Sequence, residues 1–422
     1  MEKISIGMDL FSDENKHTLP RETETVSYYP ILLALTLSGF TAMISNMLSG
    51  LFLIDIGETF NKTVGIVGQM CTFSFIVSII FSLLTSIFSV KYNHKMLLQV
   101  GLFAYAASAI GCYLAPNFNI MVAVFSLSGI GYALTTTMAF TLTELIPQQK
   151  RGEAIGFIIA GMSGSYLIGA LVVPYLQSLG GWKYTFFGYM LPSSILALIL
   201  STLTIPRGSN NSDNNKQINL SEGFNAIFSS RSAFSSLLGY LLMIVTWQGI
   251  LTYNTSFFRN TFLISIGEAS IFILIGATLY TVGSIISSRV ANRVGRKSLV
   301  VASILIASIG VMLYSYSRIF MLSAGLLCVS CFLVGMMDAS STSLIIEQIP
   351  LYGGIMMSLQ RVVVQVGNSI GSGLGGAILT FSSYNSMFLT LGIFGAVSAL
   401  VFQLFTIDVS SMKTYALKSI ED

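Results

Sequence analysis

From residue 28 onward the chain is a succession of long apolar runs separated by short polar links. About 20 apolar residues coiled as a helix cross the hydrocarbon core of a bilayer. The runs predict helices over 30–54, 64–88, 95–115, 119–144, 154–177, 184–205, 233–256, 269–290, 298–316, 319–345, 353–380 and 386–407. A membrane barrel would show short alternating segments instead, and an open sheet edge is excluded from lipid. The pattern therefore predicts an all-α polytopic membrane protein with twelve transmembrane helices. The narrowest separator, Tyr314-Ser315-Tyr316-Ser317-Arg318, divides the ninth from the tenth.

The longest interior polar stretch runs from Pro206 to about Ser232 and includes Gly208-Ser209-Asn210-Asn211-Ser212-Asp213-Asn214, too poor in apolar residues to fold alone. Six predicted helices lie on each side of it. The organisation that follows is a polar tail over 1–27, a six-helix bundle over 28–205, a linker over 206–232, a second bundle over 233–408 and a tail over 409–422.

The two bundles share a register. Ser288-Arg289-Val290-Ala291-Asn292-Arg293-Val294-Gly295-Arg296-Lys297 sets four basic residues and a turn-forming glycine between two apolar runs. Thr85 to Lys95 forms an earlier basic link, and 203 positions separate Ser89 from Asn292, Glu144 from Glu347 and Pro147 from Pro350. Three landmarks at one offset point to an internal duplication.

Composition agrees: 53% of the 422 residues are hydrophobic and 9% charged, against about 25% charged in water-soluble domains. The net charge of +3 says less than its distribution. Lys91, Lys95, Lys150, Arg151, Arg207, Lys216, Arg231, Arg289, Arg293, Arg296 and Lys297 fall on the side of the termini, and Lys62, Lys183, Arg259 and Arg318 on the other. The positive-inside bias places both termini in the cytoplasm and the chain in the plasma or inner membrane. The first 27 residues lack a basic head followed by a cleavable apolar run, so a signal peptide is not expected.

Cys71, Cys112, Cys328 and Cys331 lie within or beside apolar runs, with no second CxxC pair and no nearby histidine, which marks them as packing residues rather than metal ligands. The glycine-rich Gly371-Ser372-Gly373-Leu374-Gly375-Gly376 follows no strand and lacks the phosphate-loop lysine. No cofactor, metal, nucleic-acid partner or catalytic group is expected.

Polar residues inside the runs are the informative minority, because an unpartnered polar group facing lipid is costly. Asn46, Thr136, Tyr166, Trp247, Gln248, Tyr253, Asn254, Gln365 and Asn368 are candidates for a solute cavity, with amides to orient the solute and Trp247 as a flat wall. Each amide could equally tie helix to helix. Arg361 could hold an anionic solute, pair with an acid, or extend toward the interface. Asp338, Glu144 and Glu347 are candidates for coupling or for salt bridges, with Asp338 the best internal carboxylate for carrying a proton.

At this point the repeated link resembles the signature loop of the major facilitator superfamily, which joins the second and third helices and recurs between the eighth and ninth. Arg293, Gly295, Arg296 and Lys297 match it, while Asn292 stands in for an aspartate and Ser288 for a glycine. In the first copy Ser89 replaces the aspartate, and Lys91 and Lys95 supply the charge. Pro147 to Gly152 resembles the family's link from the fourth to the fifth helix, and Gly180 to Phe187 the start of its sixth. The resemblance covers about residues 28–408.

It implies two pseudo-symmetric six-helix bundles, a central site, and exposure of that site to each side in turn. Ser89, Lys91, Lys95, Asn292, Arg293, Gly295, Arg296 and Lys297 then act as cytoplasmic gating loops. Phe125 before Gly129, and Ala170 after Gly169, depart from the patterns of the family's proton-driven drug exporters. The expected function is secondary active or facilitative transport of a small hydrophobic or weakly polar organic solute by a monomer in contact with lipid, with a proton or another ion as a candidate coupling partner. The alternatives are an organic-anion or sugar permease, and a membrane sensor or scaffold that does not transport.

Overall fold

The computed structural model describes residues 28–206 and 220–408. The expected tails over 1–27 and 409–422, and positions 207–219 of the linker, lie outside the described residues. The elements are α1 (Tyr29–Leu51), α2 (Leu53–Phe60), α3 (Val64–Lys91), α4 (His94–Leu114), α5 (Phe118–Thr141), α6 (Arg151–Thr185), α7 (Leu191–Thr204), α8 (Leu220–Ser229), α9 (Arg231–Phe262), α10 (Ile266–Val294), α11 (Arg296–Tyr314), α12 (Phe320–Gln348), α13 (Gly353–Phe381) and α14 (Tyr384–Phe405).

Eleven continuous helical stretches among the described residues are long and apolar enough to cross a membrane. One of them, 148–204, holds two of the predicted runs and is interrupted at Gly180 and Gly181, where the backbone leaves helical values. α9 and α10 extend beyond the predicted 233–256 and 269–290, to Arg231–Phe262 and Ile266–Val294.

Short polar links start the helices by capping them. The Asn93 side chain accepts from the N–H of Lys95 (2.9 Å) and that of Asn117 from the N–H of Ile120 (3.0 Å). Ser265 and Glu268 form a reciprocal capping box at the start of α10. α11 starts on Gly295, whose φ of +86° suits glycine and which brings no capping oxygen of its own. There the Asp408 carboxylate, beyond the end of α14, accepts from the N–H of Lys297 (3.2 Å).

Part of the linker stretch is helical. In α8, Phe224, Ile227 and Phe228 recur at helical spacing, and fully buried Ile227 joins an apolar cluster with Leu237, Met337 and Ile355.

The duplication is visible in the contacts. α4 packs on α5 as α11 does on α12, α3 on α5 as α10 on α12, α4 on α7 as α11 on α14, and α1 on α6 as α9 on α13. Contacts between the two parts are led by α3 on α13 and α6 on α10.

The links after α3, α5, α7 and α10 carry most of the basic residues, and we call that side the basic end; the side bearing Asp55, Lys183 and Arg259 is the far end. Toward the far end one apolar core is shared by both parts, joining Met47, Phe52, Met70 and Phe75 to Val245, Tyr253, Phe257 and Phe388. Toward the basic end the core divides. Leu35, Leu98, Leu142 and Ile158 form one cluster within residues 28–206, and Ile244, Val300, Leu344 and Met356 another within 220–408.

Candidate functional site

A cavity of about 350 Å³ lies where the shared core gives way, between α1, α5 and α6 on one side and α9, α10, α12 and α13 on the other. Six of the ten candidate cavity residues line it: Asn46, Tyr166, Trp247, Gln248, Asn254 and Asn368. The other walls are Tyr132, Phe258, Phe272 and Tyr280, the thioethers of Met43, Met47 and Met162, and small or aliphatic side chains. No described lining residue is charged.

Some of these amides are already engaged. Gln248 donates to Thr252 (3.2 Å), Asn254 accepts from Thr255 (3.0 Å), and Asn368 donates to Gln365 at 3.5 Å, the limit of a hydrogen bond. Such a wall suits an aromatic or aliphatic solute oriented by a few neutral polar groups.

The remaining four candidates sit outside this lining. Thr136 returns its hydroxyl to the carbonyl of Tyr132 on its own helix (2.6 Å). Tyr253 is fully buried, its hydroxyl donating to the Ser372 carbonyl (2.8 Å) while its ring fills the space left by Gly68 of α3. Gln365 donates to Ser78 across the two parts (2.9 Å). Arg361 places its guanidinium 4.7 Å from the ring centre of Phe140, again across the two parts.

The far end is tied more densely. Arg259 forms a forked ion pair with Asp55, with contacts of 2.5 and 3.3 Å, and also donates to the Leu51 carbonyl (3.2 Å). Gln69 donates to the Gly373 carbonyl (3.0 Å), and Thr72 and Ser372 share a hydrogen bond (3.1 Å).

Of the three acidic candidates, Asp338 lies nearest the cavity wall. Its Oδ1 accepts from the Tyr240 hydroxyl (2.7 Å) and its Oδ2 from the Tyr280 hydroxyl (2.5 Å), so one carboxylate ties α9 and α10 to α12. It forms no ion pair among the described residues. The register is set by close helix contact: a Cβ at Gly335 would come within 2.0 Å of the Tyr280 carbonyl oxygen. Nearby, Ser287 donates to the Met336 carbonyl (2.5 Å). Glu347 is ion-paired with Arg296, and Glu144 is exposed with its backbone carbonyl bound by Arg151 (3.0 Å).

Several of the candidate gating residues hold neighbouring elements. Buried Lys95 donates to the carbonyls of Thr202 (2.8 Å) and Ile205 (2.5 Å), capping the end of α7. Arg296 and the Lys297 backbone hold α12 and Asp408, around the turn at Gly295. Ser89 is half-buried in the last turn of α3, Lys91 lies 5.7 Å over the Tyr92 ring, and Asn292 and Arg293 are exposed.

Tyr132, Tyr280 and the cavity methionines escaped the sequence reading. The only available signal was a tyrosine or methionine inside an apolar run, and with 18 tyrosines and 19 methionines in the chain that signal selects little.

The sequence model described as Major Facilitator Superfamily matches residues 35–262 and 236–417. The Uncharacterized MFS-type transporter Rv1250 of Mycobacterium tuberculosis is 29% identical over 117 residues, 28% of this chain; the match spans 20% of that relative's length. The fold is similar to a bacterial homologue of the human lysosomal transporter Spinster in an inward-facing, unoccupied conformation (TM-score 0.73, 17% identity, 90% of this chain and 97% of that one). It is also similar to a D-xylose-proton symporter (TM-score 0.74, 17% identity, 90% and 98%) and to the inward-open xylose transporter XylE from E. coli (TM-score 0.72, 15% identity, 90% and 97%). At these identities the likeness is one of fold.

Proposed function

The chain belongs to the major facilitator superfamily, and on that footing we propose that it carries a small, neutral to weakly polar organic solute across the membrane by alternating access. It is a permease-type membrane protein and not an enzyme. The observation that carries the reading is the uncharged, aromatic and thioether-lined cavity between its two parts. The divided core supports it: an apolar core continuous at the far end and split at the basic end is what a pair of rocking bundles presents when open toward the basic end.

In this reading the helical stretch 148–204 counts as two spans, broken at Gly180 and Gly181, giving twelve helices in bundles over 28–205 and 233–408. The basic end faces the cytoplasm. Asn46, Tyr166, Trp247 and Asn368 contact the solute, and Asp338 is the group that binds a coupling proton. The organic-anion alternative rests on one observation, the exposed Arg361 whose described contact is an aromatic ring.

The test is flux into sealed proteoliposomes of neutral aromatic, organic-anion and sugar solutes, each with and without an imposed pH gradient. Uptake confined to sugars or anions would overturn the weakly polar-solute reading. Correctly folded protein that moves no solute of any class would favour the sensor or scaffold.

A further inference from the structure

α8 and α9 meet in a corner at Ser230, whose backbone is extended (ψ 109°) and whose hydroxyl caps α9 by accepting from the N–H of Ala233 (3.3 Å). On its inner flank α8 rests Gly223 on Tyr352 and Ile355 at the start of α13, where a side chain would collide with Ile355. One turn on, Ile227 is fully buried beside Leu237 and Ile355. The helix therefore runs from the start of α13 to the start of α9, across the basic end of the second part.

Its outer flank is apolar as well. Phe224 and Phe228, one turn apart, are 40% and 58% exposed, and the exposed residues of the third flank are Glu222, Asn225 and Ser229. A short helix with one apolar flank against its own protein and a second turned outward needs something apolar to cover the second.

The neighbouring surface says what covers it. The Phe228 ring lies 6.1 Å from that of Phe234, exposed in the first turn of α9 with Leu238 one turn further. That face of α9 is flanked by α14, through Ser235 on Thr406 (3.3 Å), and by α13, through Gly367 and Gly371. The cavity takes a different face, the one bearing Trp247 and Gln248. On a membrane-spanning helix, exposed apolar side chains away from the cavity face acyl chains, so the Phe224 and Phe228 flank continues a lipid-facing surface.

A cation stands at the same corner. The Arg231 guanidinium lies 4.7 Å from the ring centre of exposed Phe405, at the end of α14, and forms no ion pair among the described residues. Stacking uses the flat face of a guanidinium and leaves its N–H edge for a planar pairing with phosphate oxygens.

We propose that α8 is an interfacial helix: Phe224 and Phe228 lie between the headgroups and acyl chains of the leaflet at the basic end, and Arg231 holds the phosphate of an anionic lipid there. The helix thereby seats the starts of α9 and α13 on the bilayer surface. The inference is independent of which solute the cavity takes.

The test of depth uses the full chain, with Cys71, Cys112, Cys328 and Cys331 replaced, in nanodiscs of phosphatidylcholine and phosphatidylglycerol. Single spin labels are placed at Phe224→Cys, Asn225→Cys, Phe228→Cys and Ser229→Cys. Power saturation then compares collisions with oxygen, which concentrates among acyl chains, and with a water-soluble nickel chelate. Labels at 224 and 228 should favour oxygen, and those at 225 and 229 nickel. Nickel access at all four would put α8 in water, and poor access of both reagents at 224 and 228 would put a protein partner there; either outcome overturns the proposal.

Headgroup contact is read with both phenylalanines intact. Dioctanoyl-phosphatidylglycerol added in detergent should raise the unfolding temperature, and Arg231→Gln should need about fivefold more lipid for the same rise, the worth of one cation near an anionic surface. Inorganic phosphate at the same concentrations should give no rise. An equal lipid requirement in the two proteins, or an equal response to inorganic phosphate, overturns the assignment of Arg231.

Discussion

Lys95 at the start of α4 holds the Ile205 carbonyl, just past α7, at 2.5 Å, and the second half of the chain makes the same joint with the charges reversed. Asp408 lies 203 positions after Ile205, and its carboxylate accepts from the backbone of Lys297 at the start of α11. In the first half a cation satisfies the carbonyl end of a helix; in the second an anion satisfies the N–H end of its neighbour. A duplicated architecture has kept the joint and exchanged the chemistry that makes it.

The two versions differ in worth. Lys95→Met leaves the carbonyls of Thr202 and Ile205 without their donor in a buried place, at a cost of about 1–3 kcal/mol. Asp408→Asn keeps an accepting oxygen and loses a charge near a helix start, roughly 0.3–1 kcal/mol. Thermal unfolding in detergent should therefore rank Lys95→Met well below Asp408→Asn; equal losses would contradict the difference drawn between the two joints.

The Asp55–Arg259 pair, with side chains 18% and 14% exposed, closes the far end across the two parts. Arg259→Ala removes that tie and also the bond to the Leu51 carbonyl, so the far end should open more often. A destabilisation of about 1–2 kcal/mol raises the minor state about 5- to 30-fold. Spin labels at Lys62→Cys and Leu263→Cys, both at exposed far-end turns, report this as a new longer distance in a background without native cysteines. Asp55→Asn should do the same, and the double variant should add little, because the two residues act as one pair.

Much of this architecture was legible because lipid leaves few choices. Long apolar runs demand helices, and short polar links such as Asn93, Asn117 and Ser265 cap them where the pattern changes. The cavity was half legible. Asn46, Trp247 and Gln248 stand out as polar or large groups in apolar surroundings, whereas Gln365 and Tyr253 carry the same signal and spend it on helix contacts. Which face a residue presents depends on how the helices are rotated, and α9, buried over most of its circumference, has no amphipathic stripe to reveal it. The Lys95 and Asp408 joints were hidden for another reason: their partners are backbone groups 110 and 111 positions away.

That distinction predicts unequal effects from two similar substitutions. Asn46→Ala removes a polar group from the cavity wall and should weaken solute binding about fivefold, the worth of one hydrogen bond. Thr136→Val removes a hydroxyl bonded to its own helix and should leave affinity nearly unchanged. Equilibrium binding of whichever solute is transported in proteoliposomes decides the matter, and a larger loss for Thr136→Val would mean the solute sits deeper along α5.

Gly335→Ala tests how closely the two helices around Asp338 must approach. The added methyl would lie 2.0 Å from the Tyr280 carbonyl oxygen, backbone that cannot turn aside as a side chain can. α10 and α12 must separate locally, and overpacking of this kind costs typically about 1–3 kcal/mol. Separation also stretches the 2.5 Å bond between Tyr280 and Asp338, because both residues stand within a turn of the contact. The variant should thus lose stability, read as a lower unfolding temperature in detergent. Gly325→Ala, on the same helix α12 with open space around its Cβ, should leave the unfolding temperature nearly unchanged. Equal unfolding temperatures for the two variants would mean that α10 and α12 can part at Gly335 without loss of packing.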